Sequence, residues 1–170
     1  MIQLNKYAKL LVKETVDITD DMRIVMTKTP LDLDINRKYS QEIDMKPRGF
    51  WYGFGTEWID WCKSEMPHWV GKYFYSVDIG SSNILKIKSA LELITFTKQY
   101  EISKYPDLPF FDRHTFIDWP SVANKYDGIE IAPYQYSVRY DYMWYYGWDV
   151  ASGCIWNLKN VKLNQLDYTV

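Results

Sequence analysis

The residues best suited to chemistry begin with an acid in an apolar strand. In Asp127-Gly128-Ile129-Glu130-Ile131, alternation puts the two isoleucines on one face and Glu130 on the other. A glutamate there reads either as a solvated surface group or as a carboxylate facing a cleft. A tight Asp-Gly turn precedes it, and the aromatic residues Tyr134 and Tyr136 follow. A cleft carboxylate in that setting suits holding a sugar hydroxyl or stabilising a cationic sugar transition state. Arg23 opens a second β-rich run, Arg23-Ile24-Val25-Met26-Thr27, and its paired donors suit a phosphate clamp. Arg48 is a rival for that job, and a plain surface arginine is the bland alternative.

Aromatic residues supply a third element. In Gly49-Phe50-Trp51-Tyr52-Gly53 the side chains of Trp51 and Tyr52 point to opposite faces, one toward a core and the other toward a pocket. Gly53 and Gly55 leave room for a ligand or a neighbouring backbone. Trp58 and Trp61, at helical spacing, read as core or as ligand platform. The remaining motifs exclude more than they offer. Gly53 and Gly55 lack the third glycine of a dinucleotide loop, and no Walker loop, Gly-x-Ser-x-Gly or His-Glu-x-x-His occurs. Ser152-Gly153-Cys154 has no histidine near it in sequence to activate a nucleophile. Cys62 and Cys154 are far apart and His68 and His114 are the only histidines, which argues against a Cys/His zinc site.

The elements that must position these residues fit one domain over residues 1–170. Hydrophobic residues make up 47% and charged residues 25%, which excludes a disordered chain. A net charge of -2 gives no support to a polyanion partner. The unusual feature is an aromatic fraction of 18%, including 8 Trp and 15 Tyr, suited to cores, pockets or interfaces. With no signal-peptide or membrane-spanning run, the chain is expected to be soluble and cytoplasmic, with reduced thiols and no membrane partner.

Periodicity predicts an amphipathic helix over 4–14, a turn at 17–21 and a long mobile loop over 30–44. It predicts a helix capped by Thr56 that carries Trp58, Trp61, Cys62 and Glu65 at i, i+3, i+4, i+7 spacing, then strands over 73–78 and 84–87. Ser89 starts a helix running to about Tyr100. The segment 105–111 is loop, and Asp118-Trp119-Pro120 begins a short helix. Strands follow at 129–131, 134–139, 143–148 and 153–157. Short strands scattered among few helices favour an α+β fold.

Together, three segments resemble the core of the ADP-ribosyltransferase-like superfamily. These are Arg23-Ile24-Val25, then Gly49-Phe50-Trp51-Tyr52-Gly53 with the Trp58-Ile59-Asp60-Trp61 helix, then Tyr126-Asp127-Gly128-Ile129-Glu130-Ile131. Their order and wide spacing agree with it. Two departures stand out: Gly53 replaces a common Ser or Thr, and Gly128 replaces the first acid of the pair found in arginine-modifying members. The resemblance implies two small, mostly antiparallel sheets forming a split NAD-binding cleft with flanking helices. It implies cleavage of the nicotinamide–ribose bond and transfer of ADP-ribose to a protein or nucleic-acid acceptor, without a metal. Glu130 would be catalytic, with Arg23, Trp51, Tyr52, Gly53, Trp58 and Tyr134 around the NAD. Tyr52, or Trp51 if the faces are reversed, would stack on nicotinamide.

Two other readings stay open. One is a non-catalytic aromatic-rich module that binds a protein or nucleotide, in the manner of a phage or bacterial effector, toxin or anti-defence protein. The other is a carbohydrate-active protein, which needs a second carboxylate near Glu130; Asp127 and Asp149 are the candidates.

Overall fold

A computed structural model describes residues 16–108 and 115–170; the expected helix over 4–14 and His114 lie outside them. The strands are β1 (Arg23–Thr27), β2 (Ile43–Asp44), β3 (Phe50–Phe54), β4 (Tyr73–Asp78), β5 (Ile84–Ile87), β6 (Ile117–Asp118), β7 (Gly128–Ile131), β8 (Ser152–Ile155) and β9 (Lys162–Leu166). The helices are α1 (Glu57–Glu65), α2 (Ala90–Tyr100), α3 (Trp119–Ala123) and α4 (Met143–Tyr146), with 3-10 turns at Pro67–Trp69 and Tyr136–Val138.

The fold is α+β. Seven strands hydrogen-bond into one sheet in the order β5-β7-β8-β3-β1-β4-β9, and β2 and β6 form a separate two-stranded ladder. The two small sheets expected from the sequence are thus one large sheet and one minor pair. All neighbours in the large sheet are antiparallel except β5 and β7. That parallel pair follows from the long α2–α3 crossover between them, since parallel strands need such a connection.

Strand register fixes what each face carries. Ile129 pairs with Cys154, and Cys154 with Trp51, so these share a face with Ile131 and Ile87. The helices cover that face: Leu93 and Phe96 of α2, Trp119 and Val122 of α3 and Trp144 of α4 pack there into the main core. Ile59 of α1 joins Ile24 and Phe74 in a satellite core on the same side. The other face carries Val25, Tyr52, Val77 and Ile155. Loops cover it instead, through Leu31, Leu33, Leu158 and Val161. The 30–44 segment is therefore largely irregular, as expected, but it packs on the sheet; the Leu31 amide donates to the Tyr75 hydroxyl at 2.9 Å.

Several boundaries follow from capping. The Ser89 hydroxyl accepts from the Glu92 amide, and Glu92 accepts from the Lys88 amide at 2.6 Å, starting α2. Asp118 caps α3 through the Ser121 amide. Thr56 stands at the start of α1, but its hydroxyl donates to Asp60 rather than capping a backbone amide. The expected strands at 134–139 and 143–148 are absent. A 3-10 turn and α4 replace them, because Trp144 and Tyr145, adjacent in sequence, are both fully buried. A strand would send one of them to the opposite face.

Candidate functional site

Three residues from three distant segments meet on the helix-free face. Glu130 (β7), Gly153 (β8) and Tyr52 (β3) lie in one cross-strand row, because Glu130 pairs with Gly153 and Gly153 with Tyr52. Gly153 leaves that row without a side chain between the other two. The Tyr52 ring lies across the gap, and its hydroxyl donates to Glu130 Oε1 at 2.8 Å. Arg23 reaches in from β1: its Nε donates to Oε1 at 2.6 Å and its second amine to Oε2 at 3.3 Å. The result is a two-pronged arginine–carboxylate pair buttressed by a tyrosine.

The pair is unevenly buried. Glu130 is 4% exposed and Tyr52 3%, while the Arg23 side chain keeps about a fifth of its surface open. Burial, then the neighbouring Glu130 charge, pushes the Tyr52 hydroxyl well above the ordinary tyrosine range. Burial opposes the Arg23 charge, but the hydrogen bond and charge of Glu130 outweigh it and hold the guanidinium above its usual value. Removing one partner of such a pair costs about 3–5 kcal/mol, since the other charge stays buried.

Arg23 and Glu130 form part of the wall of a cavity of about 680 Å³, together with Phe54, Glu57, Lys86 and Lys88. The Arg23 guanidinium lies 5.6 Å from the Phe54 ring centre. Two features here were missed in the sequence. Phe54 is the aromatic wall of this cavity, and strand alternation from Tyr52 could have found it. Lys86 pairs with Glu130 in the parallel ladder and shares its face, a relation that no sequence pattern announces.

The other expected site residues stand elsewhere. Trp51, Gly53 and Trp58 line a second cavity, of about 410 Å³, on the helical face. The expectation that Trp58 and Trp61 point into the core needs correcting: Ile59 and Cys62 are the buried residues of α1, and the two indoles stack on each other at 4.9 Å, half-buried. Tyr134 lines neither cavity; it stacks on Tyr145 at 5.3 Å. Arg48, the rival clamp, pairs with Glu42 on the surface.

Neither candidate second carboxylate shares Glu130's cavity. Asp127 accepts from the Asn83 amide and from Asn157, closing a turn, and Asp149 lines the cavity on the helical face. The carbohydrate-cleaving arrangement therefore lacks its expected partner. Cys62 and Cys154 are both buried and free, and burial raises the Cys154 thiol well above its ordinary value, which disfavours the nucleophilic thiolate. Among the described residues no group of His, Cys, Asp or Glu could hold a metal ion. No helix among them is long and apolar enough to cross a membrane.

No family model matches the chain, and no curated protein or solved structure matches it either.

Proposed function

We propose that the protein binds NAD along the helix-free face of the sheet, cleaves the nicotinamide–ribose bond and transfers ADP-ribose to a macromolecular acceptor. The observation that carries this reading is the convergence of Arg23 and Tyr52, from two separate strands, on the Glu130 carboxylate of a third, with Arg23 and Glu130 at a cavity wall. The cavity's size falls within the ordinary range for small-molecule sites. Its wall carries three cationic side chains, Arg23, Lys86 and Lys88, to meet a pyrophosphate, beside four carboxylates, Asp20, Asp21, Glu57 and Glu130.

In this reading the bond between ribose C1′ and the pyridinium nitrogen breaks, and its electron pair leaves with neutral nicotinamide. The ribose becomes an oxocarbenium ion. Glu130 stabilises that charge and accepts from the 2′-hydroxyl. An acceptor nucleophile then bonds to C1′ and releases its proton. In the resting protein Arg23 neutralises Glu130, so ligand binding exchanges the carboxylate for phosphate oxygens at Arg23. Tyr52, too buried to stack on a ligand, keeps Glu130 oriented. Phe54 is the aromatic surface available to nicotinamide.

One observation favours a second reading, a non-catalytic binding module of the same design: the triad closes on itself and leaves Glu130 almost fully buried. Calorimetry with NAD, coupled to measurement of nicotinamide release, separates the two. The transferase reading expects binding, and release that falls about 100- to 1000-fold in Glu130→Gln. Binding without release in the wild type favours the silent module, and no binding at millimolar NAD rejects both as NAD proteins.

A further inference from the structure

The cavity on the helical face is the second concavity of the described residues with a distinctive wall. Five of the eight tryptophans, Trp51, Trp58, Trp61, Trp69 and Trp148, contribute to its wall. Ile24 and Met26 of β1 form its apolar floor. Trp58 and Trp61 lie parallel within 9°, and Trp69 leans against both at 6.1 and 6.3 Å. Trp69 is 46% exposed. Trp148 and Trp51 belong to or pack against the main core, but the half-open indoles of Trp58, Trp61 and Trp69 do not, and such surface on a monomer marks a binding site.

Polar groups in the wall narrow the ligand's chemistry. Lys46 reaches over Trp51, its ammonium 5.5 Å from the ring centre, and Asp149 stands in the same wall. Burial weakens the charged form of each: it lowers Lys46 and raises Asp149 from their ordinary values. Trp148, 1% exposed, belongs to the main core and lends one side to the same wall. A purely apolar ligand would deepen the burial of Lys46 and Asp149 without hydrogen-bonding either, at a cost in affinity. A flat ring with donors and acceptors on its edge satisfies both the indoles and the polar groups. The volume, about 410 Å³, lies at the small end of ligand pockets and fits a nucleoside better than a dinucleotide.

We infer that this cavity binds a nucleobase, stacked on the tryptophan wall with its edge toward Lys46 and Asp149. The site lies on the face opposite Glu130 and does not rest on the NAD reading.

The test is titration of the full chain with adenosine, guanosine, cytidine and uridine, followed by calorimetry and by tryptophan fluorescence. At least one nucleoside is expected to bind saturably and quench the emission. Trp61→Ala is expected to weaken that binding by about tenfold or more, the usual effect of removing a stacking platform. Lys46→Met, at the cavity edge, keeps the test open should Trp61→Ala fail to fold, and is expected to shift the preference among the four bases. Absence of saturable binding for all four nucleosides at millimolar concentration overturns the inference. So does binding that both wall variants leave unchanged, or binding of tryptophan amide without any nucleoside, which would mark a pocket for a partner's aromatic side chain.

Discussion

Replacing Gly153 with alanine tests the geometry of the triad without touching any of its members. A Cβ built on Gly153 lands 2.5 Å from Tyr52 Cε2, 2.6 Å from Cζ and 2.8 Å from the hydroxyl oxygen. No real Cβ tolerates such contacts, so the ring must leave. It has little room to do so, packed as it is against Val25 and Ile155 in the loop-covered core. Overfilling a packed site costs about 1–3 kcal/mol. Losing a hydrogen bond to a charged carboxylate costs about 1.5–3 kcal/mol more. The variant should therefore lose about 2.5–6 kcal/mol of stability, which for a domain of this size lowers the melting temperature by about 5–24 °C.

Urea unfolding of four proteins measures the effect: wild type, Gly153→Ala, Tyr52→Phe and the double variant. Tyr52→Phe alone should cost about 1.5–3 kcal/mol. In the Gly153→Ala background the hydroxyl is already displaced, so removing it should cost under about 0.5 kcal/mol. The cycle should then show a coupling above about 1 kcal/mol, which is the signature of groups acting together. A Gly153→Ala protein as stable as the wild type, or strictly additive effects, would refute the argument that a missing side chain on β8 lets Tyr52 reach Glu130.

Further outcomes follow from other contacts. The Trp144 indole N–H donates to the Thr97 hydroxyl at 3.0 Å inside the main core, so Thr97→Val should cost about 1–3 kcal/mol in denaturant unfolding by leaving a buried donor unpaired. Ser89→Ala should cost about 1 kcal/mol by removing the α2 cap, read from the same transitions. Burial holds the Asp149 carboxyl above its ordinary value of 3.8, against the pull of Lys46 and Arg139. Between the unfolded and folded values the native state binds more protons, so this group's contribution falls as pH rises through that acid window. Asp149→Asn should remove that part of the decline in a pH series of melting temperatures.

Much of the framework was legible because its signals are local. The strand at Arg23–Thr27, the helix start at Ser89 and the Asp118 cap each depend on residues adjacent in the chain. The side of β7 on which Glu130 lies also followed from alternation alone. Its burial did not, because that depends on Arg23, 107 positions away, reaching across the sheet. The aromatic run after Tyr134 was misread for a related reason. Tyrosine and tryptophan favour strands when their packing is unknown, but here Trp144 and Tyr145 are claimed by one core, and that contact overrides propensity. The strand β9 at Lys162–Leu166 carried no alternating apolar signal and is held chiefly by its ladder with β4.

Two glycines on neighbouring strands let other groups approach the two faces of the sheet. Gly53 faces the helices, and a Cβ there would sit 3.0 Å from the Trp58 Cβ; its absence lets α1 bring its indoles down to the sheet. Gly153 faces the other way, and its absent side chain gives Tyr52 a path to Glu130. Gly53 pairs with Ser152, one residue before Gly153, so the two close approaches lie in adjacent rows on opposite faces. The sequence displayed Gly53 as a position of close approach, but it could not say that the approaching group is the protein's own helix. The residues gathered by resemblance into one pocket are thereby divided. Arg23, Tyr52 and Glu130 belong to a polar site on the loop-covered face, and Trp51, Gly53 and Trp58 to an aromatic one on the helical face. A substitution at Gly53 should therefore disturb the tryptophan cavity first, and one at Gly153 the triad, so ligand binding at the two sites can be impaired separately.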